Sequence, residues 1–316
     1  MRLKYRILWI ENEQDWVESI EDQIQDYLDD LGFIYEKKLI GKEETGIDYN
    51  SYDLILMDLN LADQPNGAEL ITKIRDLGAY TDVVFYSASG INELRAKGRE
   101  KELEGVYYSG RTPDSLFINK VEAVIDSTIK KIQDLNNVRG LVMSEVSELD
   151  ERMLSLIDFY FISKATEKKT ATFKKHLVKD VEKATKRRLS ESEICDKKCE
   201  HRWNKLPIED IIKDFEFDAS RKAHAINLIV EMEGIPYTNK YGQNFFDDYQ
   251  KDMLSMRNNL AHCVSSSIDG KEVLITKKGS IIFDDNAFNE IRKQIQSYNS
   301  FLDIIEDTIN RDDQNA

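Results

Sequence analysis

The feature that most constrains this chain is a fivefold alternation of short apolar runs with helix-period stretches across its first 134 residues. "RILWI" (6–10), "FIYEKK" (33–38), "DLILMDL" (53–59), "VVFYS" (83–87) and "GVYY" (105–108) have the length and the branched or aromatic content of strands. Helical periodicity fills the intervals at 13–30, 67–77, 91–103 and 114–134. Strands and helices that alternate in this way build a parallel sheet covered on both faces. The working loops of such sheets lie at the carboxyl ends of the strands. Those ends carry Glu11, Asn12 and Glu13, then Asp58, then Ser87.

The pattern changes after "DLNNVRG" (134–140), where two asparagines and Gly140 predict a break. Helices are expected near 141–163, 170–189, 207–215, 218–233, 246–263 and 286–310, with a small β-hairpin at 270–283 turning at "KKGS". The chain of 316 residues therefore reads as an α/β domain over 1–134 and an all-α helical bundle over 141–316, with the joint near 134–140.

Charge narrows the function classes. A net charge of −15 argues against a general nucleic-acid coat or an anionic-membrane binder. The distribution is uneven, however: residues 1–133 hold 16 basic and 26 acidic side chains, whereas 164–188 hold ten basic against three acidic. Lys174, Lys175, Lys186, Arg187 and Arg188 in that segment are candidate RNA-phosphate contacts, and a solvated helix face is the plainer alternative. Three cysteines make no disulfide framework and favour a reducing cytoplasm. No apolar run is long enough to span a bilayer, and "MRLKYRILWIENE" turns acidic too early for a leader, so no membrane partner is expected.

A strand ending in a carboxylate, with acids one strand away and a hydroxyl on the other side, suits acyl-phosphate chemistry. The carboxylate attacks, a divalent cation neutralises phosphoryl charge, and the hydroxyl binds a phosphoryl oxygen. "ILWIENE", "DLILMDLNLADQPNGAEL" and "VVFYSAS" supply these parts. Over 1–133 the chain resembles the receiver domain of two-component response regulators. The resemblance implies a doubly wound five-stranded sheet of order 2-1-3-4-5 and a histidine kinase or other regulatory partner. It further implies Asp58 as phosphoacceptor, Glu11 and Asp58 as Mg²⁺ ligands, and Ser87 as switch hydroxyl. Two positions depart from the family. Asn12 stands where a second acid is usual, and "VYYSGRTP" offers Arg111 rather than a lysine. Arginine is a wider, planar donor and does not simply replace lysine. A pseudo-receiver that binds partners without turning over phosphate is the competing reading.

The second half carries "MLSMRNNLAHCV" (253–264), in which Met253, Leu254, Met256, Leu260, Ala261 and Val264 are spaced as a buried helical face. On that helix Asn258 and His262 share a face, whereas Arg257 lies about 140° round the axis from His262. A helix facing its two-fold copy brings such groups to one groove. An imidazole that titrates near neutrality, a fixed guanidinium and an amide suit RNA cleavage without a metal. "RNNLAH" is similar to the R-N-x-x-A-H form of the Rx4–6H motif of HEPN (higher eukaryotes and prokaryotes nucleotide-binding) domains, with the residue match confined to about 245–263. That resemblance implies a homodimeric, metal-independent endoribonuclease of toxin or anti-phage systems, leaving 2′,3′-cyclic phosphate ends. It also implies Arg257, Asn258 and His262 as catalytic residues. The plain alternative is a helix end whose His262 caps carbonyls and whose Arg257 pairs with Asp248 or Asp252.

"CDKKCEH" offers Cys195, Cys199 and His201 at zinc-compatible spacing, with His176, His224 or Cys263 as a fourth ligand, although small residues on an amphipathic segment explain it more simply. Trp203 and Pro207 read as a packing corner. No glycine-rich phosphate loop or G-x-S-x-G elbow is present, which speaks against an NTPase or serine hydrolase. The expectation is a receiver-like domain controlling a dimeric ribonuclease that needs no cofactor for cleavage. The alternative is a non-catalytic signalling adaptor.

Overall fold

The computed structural model describes residues 3–61, 65–190, 202–238, 244–268, 271–276 and 279–311, with the side chains of 185–190, 271 and 311 excluded. The chain divides into two compact units, 1–138 with 283–293 and 139–282 with 294–316.

In the first unit, strands β1 (Lys4–Ile10), β2 (Ile34–Ile40), β3 (Leu54–Asp58), β4 (Val83–Ser87) and β5 (Val106–Gly110) form one sheet. Its order is β2-β1-β3-β4-β5 and every neighbouring pair is parallel. Helices α1 (Gln14–Asp30), α2 (Gly67–Asp76), α3 (Ile91–Glu100) and α4 (Asp114–Ile132) connect the strands. The two-residue repeat of the strands divides the core. Ile7, Trp9, Leu54, Leu56, Val84 and Tyr86 pack with Val17, Ile20 and Ile24 of α1 and Phe117, Val121 and Ile125 of α4. The alternate residues Leu8, Ile10, Ile55, Met57, Val83 and Phe85 pack with Leu70, Ile71 and Ile74 of α2 and Leu94 of α3. Both faces being covered explains why the strands read as continuous apolar runs.

The second unit is helical. It contains α5 (Leu135–Phe159, from residue 139), α6 (Glu167–Ser190), α7 (Ile208–Ile212), α8 (Ala219–Glu233), α9 (Phe245–Tyr249), α10 (Ser255–His262) and the later turns of α11 (Asp285–Arg311). π-helical segments at Tyr160–Lys164 and Gln250–Leu254 follow α5 and join α9 to α10. Its core joins aliphatic side chains to an aromatic cluster: Phe245, Tyr249, Tyr298 and Phe301 pack ring on ring, and Trp203 is fully buried against Phe217. Arg152 of α5 donates to the Asn299 Oδ1 and Asp303 Oδ1 atoms of α11 at 2.8 and 2.6 Å.

Three expectations differ from the structure. The residues Asn136, Asn137 and Gly140 lie inside α5, because Asp134 Oδ1 accepts from the backbone N–H groups of Asn136 and Asn137 and starts the helix ahead of them. The hairpin is a three-stranded sheet, β6 (Val264–Ile268), β7 (Lys271–Thr276) and β8 (Gly279–Phe283), in that order. The "VSSSI" segment supplies its first strand, antiparallel to β7. Residues 283–293, expected within the second domain, pack with the first unit. There Arg292 is fully buried and its Nε donates to the Leu31 carbonyl at 2.8 Å. No helix among the described residues is long and apolar enough to cross a membrane.

Candidate functional site

The sheet order sets β3 between β1 and β4, so their carboxyl ends meet at one edge. Glu11, Asp58 and Ser87 come together there, 2 %, 4 % and 0 % exposed. Glu11 Oε1 accepts from the Glu13 backbone N–H at 2.9 Å, and Oε2 accepts from the Tyr86 hydroxyl at 3.1 Å. Tyr86 in turn accepts from Trp9 Nε1 at 2.8 Å. Asp58 Oδ2 accepts from the Asn60 backbone N–H at 2.8 Å. Ser87 Oγ accepts from the Ser89 N–H at 3.1 Å and from Asn60 Nδ2 at 3.3 Å. Burial, and secondarily the neighbouring Glu11 charge, push the Asp58 carboxyl up to about 7.

Arg111 follows β5, where its backbone N–H donates to the Ser87 carbonyl at 3.0 Å. Its guanidinium reaches back into this edge. It donates to Glu13 Oε2 at 2.6 Å, stands 3.8 Å from Glu11 Oε2, and lies 4.0 Å from the centroid of the Trp16 ring. The hydrogen bond from Arg111 holds the Glu13 carboxyl below its ordinary value. Asn12 is exposed. A close approach completes the edge: a Cβ on Gly67 would fall 2.0 Å from the Asp58 carbonyl oxygen, so α2 can begin there only with glycine. Asn66 caps that helix through a reciprocal capping box with Glu69.

Glu11, Asp58, Ser87 and Arg111 are therefore one cluster, while Asn12 is solvent-exposed and supplies no charge. Sequence reasoning missed Tyr86, Trp16 and Asn60. The strand period could have found Tyr86, since it shares the Trp9 face of the sheet. Among the described residues no group of three or more His, Cys, Asp or Glu side chains could hold a metal ion. Two buried carboxylates, one of them short of compensating charge, still match the donor set of a Mg²⁺ that keeps its waters and also binds phosphate. Glu11 and Asp58 would hold it.

In the second unit, Asn258 and His262 are both exposed on α10, and Arg257 is half-buried. Arg257 Nη2 donates to Asn258 Oδ1 at 3.2 Å. Among the described residues Arg257 has no carboxylate within ion-pair distance and His262 no hydrogen bond. Asp248 and Asp252 accept from the Tyr237 and Tyr298 hydroxyls, each at 3.1 Å. Met253, Leu254 and Leu260 are buried as expected, but Ala261 and Val264 are exposed and Met256 only half-buried. The π segment at Gln250–Leu254 adds a residue to one turn and rotates α10 about its axis, which narrows the apolar face.

Lys174 donates to the Asn204 carbonyl at 3.0 Å and Lys175 is exposed. The side chains of Lys186, Arg187 and Arg188 lie outside the described residues, as do Cys195, Cys199 and His201. Of the remaining zinc candidates, His176 is exposed, Cys263 is a half-buried free thiol, and His224 Nδ1 stands 2.6 Å from Asp180 Oδ2 with its ring against Phe246.

No protein-family model and no curated protein matches the sequence. Solved structures are similar over the first two-fifths. The receiver domain of the Francisella response regulator 1452 is 16 % identical over 41 % of this chain and 100 % of that one, with a TM-score of 0.32. The non-phosphorylated HemR receiver domain from Leptospira biflexa is 24 % identical over 39 % and 94 %, TM-score 0.32. The BeF3-activated DrrB receiver domain is 15 % identical over 39 % and 98 %, TM-score 0.31. The strand order and the Asp58 cluster rest on the geometry of this chain alone.

Proposed function

We propose that this chain is a phosphoryl-responsive regulatory protein whose helical unit cleaves RNA. The observation that carries the first half is the convergence of Asp58, Glu11, Ser87 and Arg111 at one sheet edge. An ionised Asp58 oxygen attacks the phosphorus of a small phosphodonor, and the leaving group departs with its bonding pair. A bound Mg²⁺ would neutralise phosphoryl oxygens. The Ser87 hydroxyl, which uses only its acceptor lone pairs toward Ser89 and Asn60, donates to a phosphoryl oxygen. Arg111 exchanges Glu13 for that new anion.

The helical half rests on the exposure of Asn258 and His262 along one face of α10. His262 takes the 2′-hydroxyl proton or protonates the departing 5′-oxygen, Arg257 clamps the phosphorane, and Asn258 positions it. A second copy supplies the missing side of the groove. Lys174 and Lys175 face flanking phosphates.

Two expected outcomes test the halves separately. The His262→Ala variant cleaves RNA about a hundredfold more slowly than wild type, whose fragments end in 2′,3′-cyclic phosphate. Equal behaviour of the two proteins would instead mark a non-catalytic adaptor. Acetyl phosphate with Mg²⁺ labels wild type and leaves Asp58→Asn unlabelled. A wild type that takes no label would be a pseudo-receiver.

A further inference from the structure

Four polar groups from four helices share one region of the second unit, and RNA cleavage at α10 as proposed uses only one of them. Asp150 belongs to α5, Lys222 to α8, Tyr249 to α9 and Arg257 to α10. Lys222 Nζ stands 3.8 Å from Asp150 Oδ2, with both side chains more than four-fifths buried. That distance is an ion pair rather than a hydrogen bond. Asp150 Oδ1 is buried and accepts no hydrogen bond. Tyr249 is fully buried, its ring stacked on Phe245 and edge-on to Tyr298, and its hydroxyl likewise has no partner. Burial raises the Asp150 carboxyl, and the charges of Lys222 and Arg257 draw it back. Burial and the Asp150 charge raise the Tyr249 phenol, and Arg257 opposes them. Asp150, Tyr249 and Arg257 thus lie within one another's field.

A buried carboxylate oxygen without a donor has lost its water and gained nothing in return, so the fold carries it at a loss. Arg257 is the complementary case. It is half-buried, its one hydrogen bond goes to its sequence neighbour Asn258, and it has no ion pair among the described residues. We infer that Asp150 is the positioning residue of the α10 site: the two groups are not bonded in the structure, and on RNA binding the open Asp150 oxygen receives one edge of the Arg257 guanidinium while the other edge grips a phosphodiester. Lys222 neutralises the second Asp150 oxygen, so the pair of cations does not repel itself apart. A guanidinium suits this arrangement because its five N–H donors form a planar fork, and an ammonium would satisfy only one side. The inference rests on the reading of α10 as an RNA site.

The test uses the full chain. Asp150→Asn keeps the shape and removes the charge. It is expected to lower kcat for RNA cleavage about tenfold with KM nearly unchanged, and Asp150→Glu to recover part of the loss. In an Arg257→Ala background Asp150→Asn should cost nothing more, since the residue acts through Arg257. Additive losses, or wild-type kcat in Asp150→Asn, overturn the proposal. A second measurement does not depend on cleavage. With an uncleavable 2′-deoxy oligonucleotide bound, the ¹⁵N-edited signal of the Arg257 Nε–H shifts and exchanges faster in Asp150→Asn than in wild type. An unchanged signal overturns the positioning role even if RNA is cut. A shifted signal in a protein that cuts no RNA upholds the contact and overturns only the nuclease reading.

Discussion

Gly32→Ala lowers the unfolding free energy of the first unit by about 3 kcal/mol, a loss drawn from backbone strain and overpacking together. Gly32 closes α1 with φ of +75°. The Gly32 N–H donates to the Asp29 carbonyl at 3.0 Å and the Phe33 N–H to the Leu28 carbonyl at 2.9 Å, the pairing of a Schellman cap. A side chain there incurs the left-handed penalty first. Its Cβ would also fall 2.8 Å from Arg292 Cβ and 3.0 Å from the Asn289 carbonyl oxygen. Neither obstacle is the loose end of a side chain. Arg292 is itself held on three sides, by the Leu31 carbonyl, by Asn289 Oδ1 and by the face of the Phe33 ring, 4.4 Å from its centroid. Burial lowers its guanidinium to about 10, so the contact is costly to desolvate and persists only while those partners stay in place. Arg292→Ala therefore destabilises the same unit, and the Gly32→Ala/Arg292→Ala double variant loses less than the sum of the single losses. Urea unfolding followed by fluorescence, with Trp9 and Trp16 reporting from this unit, measures all three. Strict additivity would mean that the two residues do not share one contact.

That contact was invisible in the sequence, because it joins positions 261 residues apart and an arginine on a charged helix reads as solvated. Period and strand ends were the legible signals. The alternation in 1–134 located all five strands and four helices, and the carboxyl-end rule picked out Asp58, Glu11 and Ser87 from the sequence alone. Arg111 was found because it stands just past the fifth strand, although its stacking on Trp16 has no signature in spacing. The second half was read less well for physical reasons. Helix breakers failed as signals at Asn136, Asn137 and Gly140, where Asp134 capped the helix first. The serines of β6 have no apolar alternation, and all five residues of that strand are exposed, so pairing with β7 alone defines it. The π segment shifted the face of α10 after a sequence period that counted 3.6 residues per turn throughout.

Asp58→Asn is expected to stabilise the protein at pH 8 by about 3–4 kcal/mol and to leave it nearly unchanged at pH 4. The native carboxyl holds its proton up to about 7, whereas the unfolded chain releases it near 3.8. Between those values the native state binds more protons than the unfolded one, so stability falls as pH rises through that window. Above it, the folded protein keeps an ionised carboxylate that is 4 % exposed and stands beside Glu11. Asparagine keeps the acceptor for the Asn60 N–H and never ionises, so the variant escapes the cost. Equilibrium unfolding of wild type and variant at pH 5, 6, 7 and 8 gives a difference that grows with pH and levels off past 7. A constant difference would mean that Arg111, 3.8 Å from Glu11, already compensates the pair and that Asp58 ionises freely. On the proposed phosphoryl-acceptor reading, a carboxylate destabilised in its charged form would be relieved once its negative charge moved outward onto phosphoryl oxygens, with Ser87 and Arg111 placed at the same sheet edge.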